Sequence, residues 1–572
     1  MRWTLAAADP AGAAALARAL KLTAPAARVL WARGYREPEQ ARRFFAPTLA
    51  DLNDPFLLAG MDAAVARLKA AIEAKERILL YGDYDVDGTS AIVILKLGLE
   101  LAGGQVSYHV PHRLRDGYGM RSEVVEEAKS SGVSLIVSVD TGIRANEVVR
   151  HASALGIDVI VTDHHLPEAE LPPALAVLNP NRPDCGYPEK NLCGAGVAFK
   201  LVHALTAHLG WEAPRRERLL DSLLKMVAIA TVADVVSLTG ENRVIVKRGL
   251  EGLTEVRNPG LRALLDVSGF ASGVAPSARD VAFRVAPRIN AAGRMASAND
   301  VIEMFLTGDA DRAKELAEKL HELNQDRQQT EAEIVNTIVA LCVEQPVTDR
   351  DAALVFAGEG WHRGVVGIVA SRVVERFHRP VFVLGMENGA AQGSGRSIPA
   401  FHLLDALESM PELFGKFGGH RQAAGVTLSA DRVEEFRQRL RTYAAERLTP
   451  ADFERELMID SEISGEEITD QAVADVLRLA PFGYGNSSPL FAIRAAQVVA
   501  APDIKKEKHV FARLRVAGNL VRVKAWNFAE RAGELEAGAR VDVVVQFEED
   551  DYSASRGYAP WQAMLKDVRP AS

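Results

Sequence analysis

The sequence has few cysteines and no long apolar run, and each shortage excludes a class of protein. Only three cysteines occur among 572 residues, Cys185, Cys193 and Cys342. This odd, scattered set does not form a disulfide framework, and no second close pair completes a structural zinc site. We therefore expect a reducing, cytoplasmic environment. The sequence contains no run of about 18 apolar residues, so no membrane span is expected. Asp9 and Pro10 interrupt the alanine-rich start too early for a signal peptide.

The chain also lacks an excess of positive charge. Its formal net charge is -9, which argues weakly against a nucleic-acid-binding protein, since such proteins are often basic. Total charge is a poor guide in a chain of this length, because local patches steer ligands. A cluster of metal-binding carboxylates would also make the total negative. The length predicts three or four domains.

Short apolar runs alternate with helical stretches in the first half of the chain. This alternation predicts βαβ units and a doubly wound α/β fold with a parallel sheet. The runs are apolar throughout, as expected for strands covered on both faces. The predicted strands are residues 77–81, 106–110, 135–139, 158–161 and 176–178.

The remaining segments differ in pattern and suggest further domains. Residues 11–50 predict short surface helices, and residues 300–343 predict one long helix. Alternating runs after about residue 455 predict a small antiparallel β-barrel of the OB type. The predicted division is a helical segment at 1–50, an α/β catalytic domain at 51–237, a helical connector at 238–275, a second α/β domain with a helical insertion at 276–446, and the barrel domain at 447–572.

Acidic residues and histidines follow three of the predicted strands. In an open α/β sheet, ligands bind at the carboxyl ends of the strands, so these side chains should meet at one sheet edge. Several carboxylates in one place repel one another unless cations neutralise them. Mixed Asp and His ligation suits Mn²⁺, and mainly carboxylate ligation suits Mg²⁺. The residues are Asp83, Asp85 and Asp87 after the first strand, Asp140 after the third, and Asp163, His164 and His165 after the fourth.

Each of these pieces has an ordinary explanation when it is taken alone. The D-x-D-x-D-G pattern at 83–88 resembles a calcium loop, but the EF-hand requires a glutamate where this chain has apolar helix around Leu95. The D-T-G at 140–142 occurs in aspartic proteases, whose fold is all-β, and a His-His pair in a loop is common. Their occurrence at successive strand ends favours a shared metal site.

Four motifs together resemble those of the DHH phosphoesterase superfamily. They are G-D-Y-D-V-D-G at 82–88, V-D-T-G at 139–142, T-D-H-H at 162–165 and T-V-A-D-V-V at 231–236, which adds Asp234. The resemblance implies that Asp87, Asp140, His164 and Asp234 hold one divalent cation. It implies a second cation on Asp85 and the shared Asp140, with Asp83 near. It also implies that His165 faces the substrate phosphate and that Asp163 orients the loop.

The second half resembles one branch of this superfamily, the RecJ exonucleases. The F-G-G-H at 417–420 resembles the DHH-associated domain, which favours a phosphate ester over pyrophosphate as substrate. The narrower RecJ-like stretches are 287–294, 361–367, 393–397 and 481–486. The resemblance implies a 5′-to-3′ exonuclease that hydrolyses single-stranded DNA to 5′-mononucleotides with two Mn²⁺ or Mg²⁺ ions. It also implies a role in recombination and repair, with single-strand-binding protein and a RecQ-type helicase as partners.

Several polar residues in the RecJ-like stretches are candidates for substrate binding. Glycines let backbone N–H groups approach an anion, and arginine grips phosphate bidentately. The alternatives are that the arginines pair with acids across a domain contact, and that the glycine pair is an ordinary turn. The candidates are Arg113 and Tyr118 in one loop, Arg288, Ser394 and Arg396 for a 5′-phosphate pocket, Asn290 beside them, and Gly418, Gly419 and His420 for backbone phosphates near the metals.

The predicted barrel carries basic and aromatic residues in alternation. Between residues 501 and 530, seven lysines and arginines outnumber three acidic residues, and Phe511, Trp526 and Phe528 are interleaved with them. A positive groove with aromatic platforms holds single strands. The alternative is a solvated charged face over a core that contains Trp526.

Two other functions fit parts of the pattern. One is a phosphodiesterase for oligonucleotides or cyclic dinucleotides, although a small substrate needs no barrel domain. The other is a non-catalytic single-strand-binding scaffold, although the full ligand set argues against it. We expect a monomer.

Overall fold

A computed structural model describes residues 1–113, 115–557 and 559–571. These residues divide into two compact units, and each is described by itself. The first unit is Met1–Asn53, Val235–Arg248 and Glu456–Ser572, and the second is Asp54–Asp234 and Gly249–Arg455. The boundaries of the five segments expected from the sequence remain predictions.

The strands and helices are numbered in the order in which they occur along the chain. The strands are β1 (Arg2–Leu5), β2 (Arg77–Tyr81), β3 (Gln105–His109), β4 (Val133–Val139), β5 (Asp158–Thr162), β6 (Ala176–Leu178), β7 (Leu354–Glu359), β8 (Val381–Glu387), β9 (Ala390–Arg396), β10 (Phe414–Gly419), β11 (Ala423–Ser429), β12 (Glu456–Ile459), β13 (Ser461–Glu462), β14 (Leu490–Val498), β15 (Asp503–Lys505), β16 (His509–Val516), β17 (Asn519–Ala525), β18 (Arg540–Glu549) and β19 (Trp561–Pro570). The α-helices are α1 (Pro10–Leu20), α2 (Ala24–Ala32), α3 (Pro38–Phe45), α4 (Met61–Glu73), α5 (Val86–Leu101), α6 (Ser122–Ser130), α7 (Asn146–Ala154), α8 (Gly194–His208), α9 (Ala213–Ala233), α10 (Gly240–Gly252), α11 (Pro259–Val267), α12 (Ala278–Asp280), α13 (Ala286–Met295), α14 (Asn299–Leu306), α15 (Ala310–Glu344), α16 (Val366–Phe377), α17 (Leu403–Glu408), α18 (Val433–Ala445), α19 (Asp470–Leu477) and α20 (Asp551–Ala554).

The predicted parallel sheet is confirmed in the second unit. Its strand order is β3-β2-β4-β5-β6, and every neighbouring pair in it is parallel. The observed strands lie within two residues of the predicted ranges, because apolar runs covered on both faces leave little ambiguity. The carboxyl ends of β2, β4 and β5 therefore open onto one edge, where the acidic motifs follow.

The second unit also contains a mixed sheet, of order β10-β11-β9-β8-β7. Strands β7 and β8 are parallel, and the other pairs are antiparallel. Its core includes Phe382 and Phe436, whose rings are 5.1 Å apart in an edge-to-face arrangement. The prediction of one long helix over 300–343 is wrong in one respect, because the helical conformation is interrupted between α14 and α15. Asp309 caps α15 by accepting hydrogen bonds from the amides of Asp311 and Arg312, which starts a new helix.

The first unit is built around a β-barrel closed by the ring β14-β18-β19-β17-β16-β14. The prediction of an antiparallel barrel is wrong at one seam, where β17 and β19 are parallel. A closed ring with an odd number of strands cannot alternate direction at every step, so one parallel pair is required. The N-terminal helices, predicted to lie on the surface, contribute Val29, Leu30 and Phe44 to the barrel's own core.

The barrel surface exposes one of its three candidate aromatic residues to solvent. Trp526 is 54% exposed, whereas Phe528 belongs to the core. Trp526 contacts His509 edge-on, with ring centroids 4.6 Å apart, and the ammonium of Lys505 lies 4.7 Å from the ring of Phe511. The interpretation that placed Trp526 in the core is therefore wrong. Among the described residues, no helix combines the length and apolar character needed to cross a bilayer.

We predict that Phe436→Ala destabilises the second unit by about 3–5 kcal/mol, because it empties a buried position packed against two other rings. Phe436 contacts Phe382 and Phe414 edge-on, at centroid distances of 5.1 and 5.2 Å. Urea unfolding measures the change. Phe283→Ala is the control, since Phe283 is 66% exposed, and should shift stability by less than about 0.5 kcal/mol. Equal effects of the two changes would contradict the assigned core.

Candidate metal centre

The first acidic motif forms the turn between β2 and α5. Asp85 caps α5, and its Oδ1 accepts a hydrogen bond of 3.0 Å from the amide of Gly88. A Cβ at position 88 would lie 2.6 Å from the carbonyl oxygen of Asp83, so the tight turn requires glycine there. Asp83 and Asp87 are both buried. The turn therefore presents three carboxylates within five residues.

The carboxylate of Asp87 is held at the start of α8. Its Oδ2 accepts a hydrogen bond of 2.6 Å from the amide of Gly194, and its Oδ1 accepts one of 2.8 Å from the amide of Ala195. The first amides of a helix have no partner within the helix and favour an anion. These bonds fix the orientation of Asp87 in the buried site.

Asp140 follows β4 with its backbone in the left-handed region. Its φ is 58°, and its amide donates a 3.0 Å hydrogen bond to the carbonyl of Thr162 at the end of β5. Aspartate tolerates this conformation better than most residues, and such backbone strain occurs at functional sites. The side chain of Asp140 is almost completely buried.

The Asp163-His164-His165 segment is organised by the carboxylate of Asp163. Oδ2 accepts from the amide of Ile143 at 2.9 Å, and Oδ1 accepts from the amides of His164 at 2.7 Å and His165 at 3.1 Å. Oδ1 also lies 2.7 Å from Nδ1 of His165. Asp163 thus orients both histidines through its own hydrogen bonds.

Asp234 follows the last residue of α9 directly. A carboxylate is unfavourable there, because the carbonyl end of a helix is partially negative. The next residue, Val235, has a φ of 58°, which is strained for a β-branched side chain. A bound cation would relieve the first of these two costs.

The ligand atoms from these separate segments converge. The Nε2 atom of His164 lies 3.2 Å from Oδ1 of Asp140, 3.7 Å from Oδ2 of Asp87 and 3.7 Å from Oδ2 of Asp234. Three sets of residues place their ligand atoms within 4.8 Å of one another. These sets are Asp87, His164 and Asp234; Asp83, Asp85 and Asp140; and Asp140, His164 and His165.

Two arginines interact electrostatically with carboxylates of this centre, Arg113 with Asp83 and Arg294 with Asp85. The guanidinium of Arg294 interacts electrostatically with Arg113, Arg327 and Arg396 and with the carboxylate of Asp85. Burial and the neighbouring positive charges lower the pKa of Arg294 to about 10. Arg113 stacks 4.1 Å above the ring of Tyr84, and its Nε makes no hydrogen bond to any described residue. Arg327 is already paired with Glu331 at 2.6 Å, so the charges of Arg113, Arg294 and Arg396 are the ones that suit an anion.

Two further candidates, Ser394 and Arg396, meet at the start of α16. A Cβ at Gly367 would lie 3.3 Å from Nη2 of Arg396 and 3.5 Å from Oγ of Ser394. Gly367 is the second residue of α16, whose first amides point towards the same place. A hydroxyl, a guanidinium and a helix N-terminus are therefore brought together.

The structure places Arg288 and Asn290 on α13, the helix that also carries Arg294. Arg288 donates a 3.2 Å hydrogen bond from Nε to His321 and a second bond from Nη1 to the carbonyl of Arg284. Asn290 is half-buried. Their predicted contact with substrate stays a prediction.

The remaining candidates lie on the His165 side of the centre. The hydroxyl of Tyr118 lies 3.3 Å from Nδ1 of His165 and donates a 3.4 Å bond to the carbonyl of Asp140. Partial loss of hydration and the charges of Arg144, His165 and His402 lower the pKa of His420, so His420 interacts electrostatically with His165. Gly418 and Gly419 end β10 just before it.

Three segments of the chain match known protein families. Residues 77–231 match the DHH family N-terminal domain, residues 350–446 match the DHHA1 domain, and residues 459–567 match the RecJ OB domain. The single-stranded-DNA-specific exonuclease RecJ of Bacillus subtilis is 38% identical over 99% of this chain and 71% of its own length. The Escherichia coli protein of the same name is 40% identical over 76% of this chain and 78% of its own.

This chain belongs to the RecJ family.

The crystal structure of RecJ with Mn²⁺ from Thermus thermophilus resembles this RecJ-family chain with a TM-score of 0.84. The alignment has 32% identity and covers all of this chain and 80% of that one. A structure of exonuclease RecJ bound to manganese matches with a TM-score of 0.61 and 37% identity, over 71% of this chain and 98% of that one.

The carboxylates of this RecJ-family chain are buried close together, and their pKa values are raised. Burial and the charge of Asp85 raise the pKa of Asp83 to about 8, and burial and the charge of Asp87 raise that of Asp234 to about 9. Burial and the surrounding carboxylates also raise the pKa of Asp140. One buried oxygen of each of Asp83, Asp140 and Asp234 makes no hydrogen bond to the described residues. Divalent cations fit this donor set, because they supply the missing partner and charge.

The two histidines differ in their charge environment. Burial lowers the pKa of His164, which favours the neutral ring that ligates metals. Burial has the same effect on His165, but the hydrogen bond to Asp163 outweighs it and raises the pKa of His165. Burial raises the pKa of Asp163, but its hydrogen bonds lower it overall. The pair therefore favours the charged form of each residue, a cationic His165 beside an ionised Asp163.

Sequence reasoning missed several residues that support the centre. Arg294 lies in the RecJ-like stretch 287–294 but had no predicted role. Its spacing from Arg288 places the two side chains on different faces of α13, so only the RecJ-like stretch itself pointed to it. The donors Gly194 and Ala195 lie in a C-G-A-G run that opens the apolar helix α8. The side-chain amides of Asn179 and Asn181 donate to the carbonyls of His165 and His164; they follow β6 as N-P-N. That motif also follows a strand end and could have been found.

We predict that the stabilisation of the protein by Mn²⁺ grows as the pH rises from about 5 to about 8. In the metal-free protein the raised pKa values of Asp83 and Asp234 mean that the folded state binds more protons than the unfolded state. This stability contribution is present at low pH and is lost as the pH rises through the folded values. Metal binding requires ionised carboxylates and acts in the opposite direction.

Thermal unfolding with EDTA and with Mn²⁺ over this pH range measures the difference. In Asp83→Asn the difference should depend less on pH, because one of the titrating groups is gone. A difference that shrinks as the pH rises would contradict the assignment.

Proposed function

We propose that this chain is a 5′-to-3′ exonuclease that hydrolyses single-stranded DNA to 5′-mononucleotides at a centre of two divalent cations. The observation that carries the proposal is the pair of ligand sets, one around His164 and one around Asp85, which meet at Asp140. The names of the relatives support single-stranded DNA as the substrate and an exonuclease reaction.

The residues fit the two cations as follows. Asp87, Asp140, His164 and Asp234 would hold one ion, and Asp83, Asp85 and the shared Asp140 would hold the other. Mn²⁺ and Mg²⁺ both suit this set, which has many carboxylates and one imidazole. Two such ions, when bound, activate a water molecule and stabilise the oxygens that attack and leave phosphorus.

The arginine cluster would bind the terminal 5′-phosphate. Arg294 interacts electrostatically with Arg113, Arg396 and Asp85, and Ser394 adds a hydroxyl at the start of α16. A pocket that holds a 5′-phosphate next to the metals leaves the first phosphodiester bond within their reach. The polarity of digestion would follow from this placement. Arg288, with Asn290 beside it on α13, would add to the same 5′-phosphate pocket.

His165 would bind the scissile phosphate. Asp163 holds its ring through Nδ1 at 2.7 Å, which leaves the Nε2 side of the ring for an anion. Tyr118 packs against the same ring, with centroids 5.8 Å apart, and limits its movement. Gly418, Gly419 and His420 would contact the strand from the His165 side.

The barrel would hold the incoming single strand, with the exposed ring of Trp526 as a stacking platform beside basic residues. This feature favours long strands over cyclic dinucleotides, and the complete ligand set favours catalysis over a scaffold role. We further propose a cytoplasmic monomer that acts in recombination and repair with single-strand-binding protein and a RecQ-type helicase. The domain boundaries predicted from the sequence are part of this proposal.

End-labelled single strands test the reaction. With Mn²⁺ present, we expect a 5′ label to appear first as a mononucleotide, and a 3′ label to stay in long fragments until late. Duplex DNA and a sample with EDTA should show little hydrolysis. Early release of the 3′ label would overturn the polarity, and hydrolysis unaffected by EDTA would overturn the metal centre.

Asp140→Ala should abolish hydrolysis and retain much of the affinity for single-stranded DNA, because both ligand sets depend on this residue. Hydrolysis rates and binding by fluorescence anisotropy measure the two effects. Asp431→Ala is the control, since Asp431 is exposed and lies outside the proposed site. Undiminished hydrolysis by Asp140→Ala would refute the assignment.

Arg396→Ala should raise KM about tenfold or more for 5′-phosphorylated strands and much less for 5′-hydroxyl strands. The reason is that a charged hydrogen bond to phosphate contributes about 1.5–3 kcal/mol. Arg441→Ala serves as the matched arginine change, because Arg441 is half exposed and pairs with Asp351. An equal rise for both strand types would place Arg396 outside the 5′-phosphate pocket.

A further inference from the structure

Gly194, the first residue of α8, touches two of the proposed metal ligands in different ways. Its amide donates a 2.6 Å hydrogen bond to Oδ2 of Asp87, and the next amide, of Ala195, donates to Oδ1 at 2.8 Å. Both oxygens of Asp87 are therefore aligned by consecutive amides of one helical turn.

The Cα of Gly194 also lies against Asp140. A Cβ at this position would lie 2.6 Å from the Cβ of Asp140 and 2.7 Å from its Oδ1. Real Cβ atoms essentially never approach other atoms so closely. An alanine at position 194 would consequently push Asp140 or α8 away.

Asp140 has little freedom to move aside. Its backbone has a φ of 58°, its amide is bonded to the carbonyl of Thr162 at 3.0 Å, and its side chain is buried. The strand ends hold it on one side, and Gly194 confines it on the other.

The conformation of Gly194 itself does not require glycine. It opens a helix and is not among the residues with positive φ. Helices prefer alanine to glycine in their interiors by about 1 kcal/mol, so the helix itself gives no reason for a glycine at position 194. Gly196 in the same turn shows the contrast, because a Cβ there would meet Leu192 at an ordinary 3.4 Å.

We propose that Gly194 is a positioning residue for the metal centre. Its amide, with that of Ala195, orients Asp87, and its missing side chain provides the space that Asp140 occupies. One backbone turn thereby sets the separation of two ligands that come from different strand ends. This inference rests on the metal centre proposed above.

Mn²⁺ titration by calorimetry tests the inference on the full chain. Gly194→Ala should weaken Mn²⁺ binding about 10–100-fold, as is usual when a group that orients a metal ligand is lost. Gly196→Ala, the same change two residues along the same helix, should leave the affinity unchanged. If wild type binds no Mn²⁺, the proposed function fails. If wild type and Gly194→Ala bind equally, only the positioning role fails.

A double-mutant cycle, measured without metal, tests whether Asp140 is the residue that a side chain at position 194 would displace. In EDTA, Gly194→Ala should lower the thermal midpoint of wild type but not that of Asp140→Gly, which removes every Asp140 atom that a Cβ would meet. Glycine also suits the positive φ at position 140. Folding of Gly194→Ala only in the Asp140→Gly background also supports the proposal. Equal lowering in both backgrounds, or failure to fold in both, overturns it.

Discussion

The structure of the centre depends on the mutual repulsion of buried carboxylates. Asp83, Asp87, Asp140 and Asp234 are brought together away from water, and burial raises the pKa of each. Such a cluster is unfavourable when it is ionised and empty. The surrounding fold therefore has to hold the side chains in place until cations neutralise them.

That holding is done mainly by backbone groups. Amides of α8 fix Asp87, a carbonyl at the end of β5 fixes the backbone of Asp140, and amides around residue 143 and residues 164–165 fix Asp163. Backbone positions move less than long side chains do. A metal site held in this way keeps its shape at little entropic cost when a ligand binds.

Much of this arrangement could be predicted from the sequence, and the reasons for success and failure are local. The parallel sheet followed from apolar runs covered on both faces, and the meeting of Asp83, Asp140 and His164 followed from the rule on strand ends. The support by Gly194 and Ala195 could not be predicted, because backbone amides have no signature in side-chain chemistry. Arg294 was missed because which arginine of a helix faces the site depends on tertiary packing. The parallel seam of the barrel was missed because pairing order is not visible in alternation.

The first unit is assembled from distant parts of the chain. Strand β1 pairs with β12, with Arg2 opposite Glu456, and the apolar sides of α2 and α3 share a core with barrel strands beyond residue 490. During synthesis, the first 50 residues therefore emerge long before the segment that completes their core. The second unit, which holds the candidate centre, has all of its residues by Arg455. On the ribosome, the apolar faces of the N-terminal helices therefore stay exposed to chaperones until the barrel strands are made. The second unit can fold before that point.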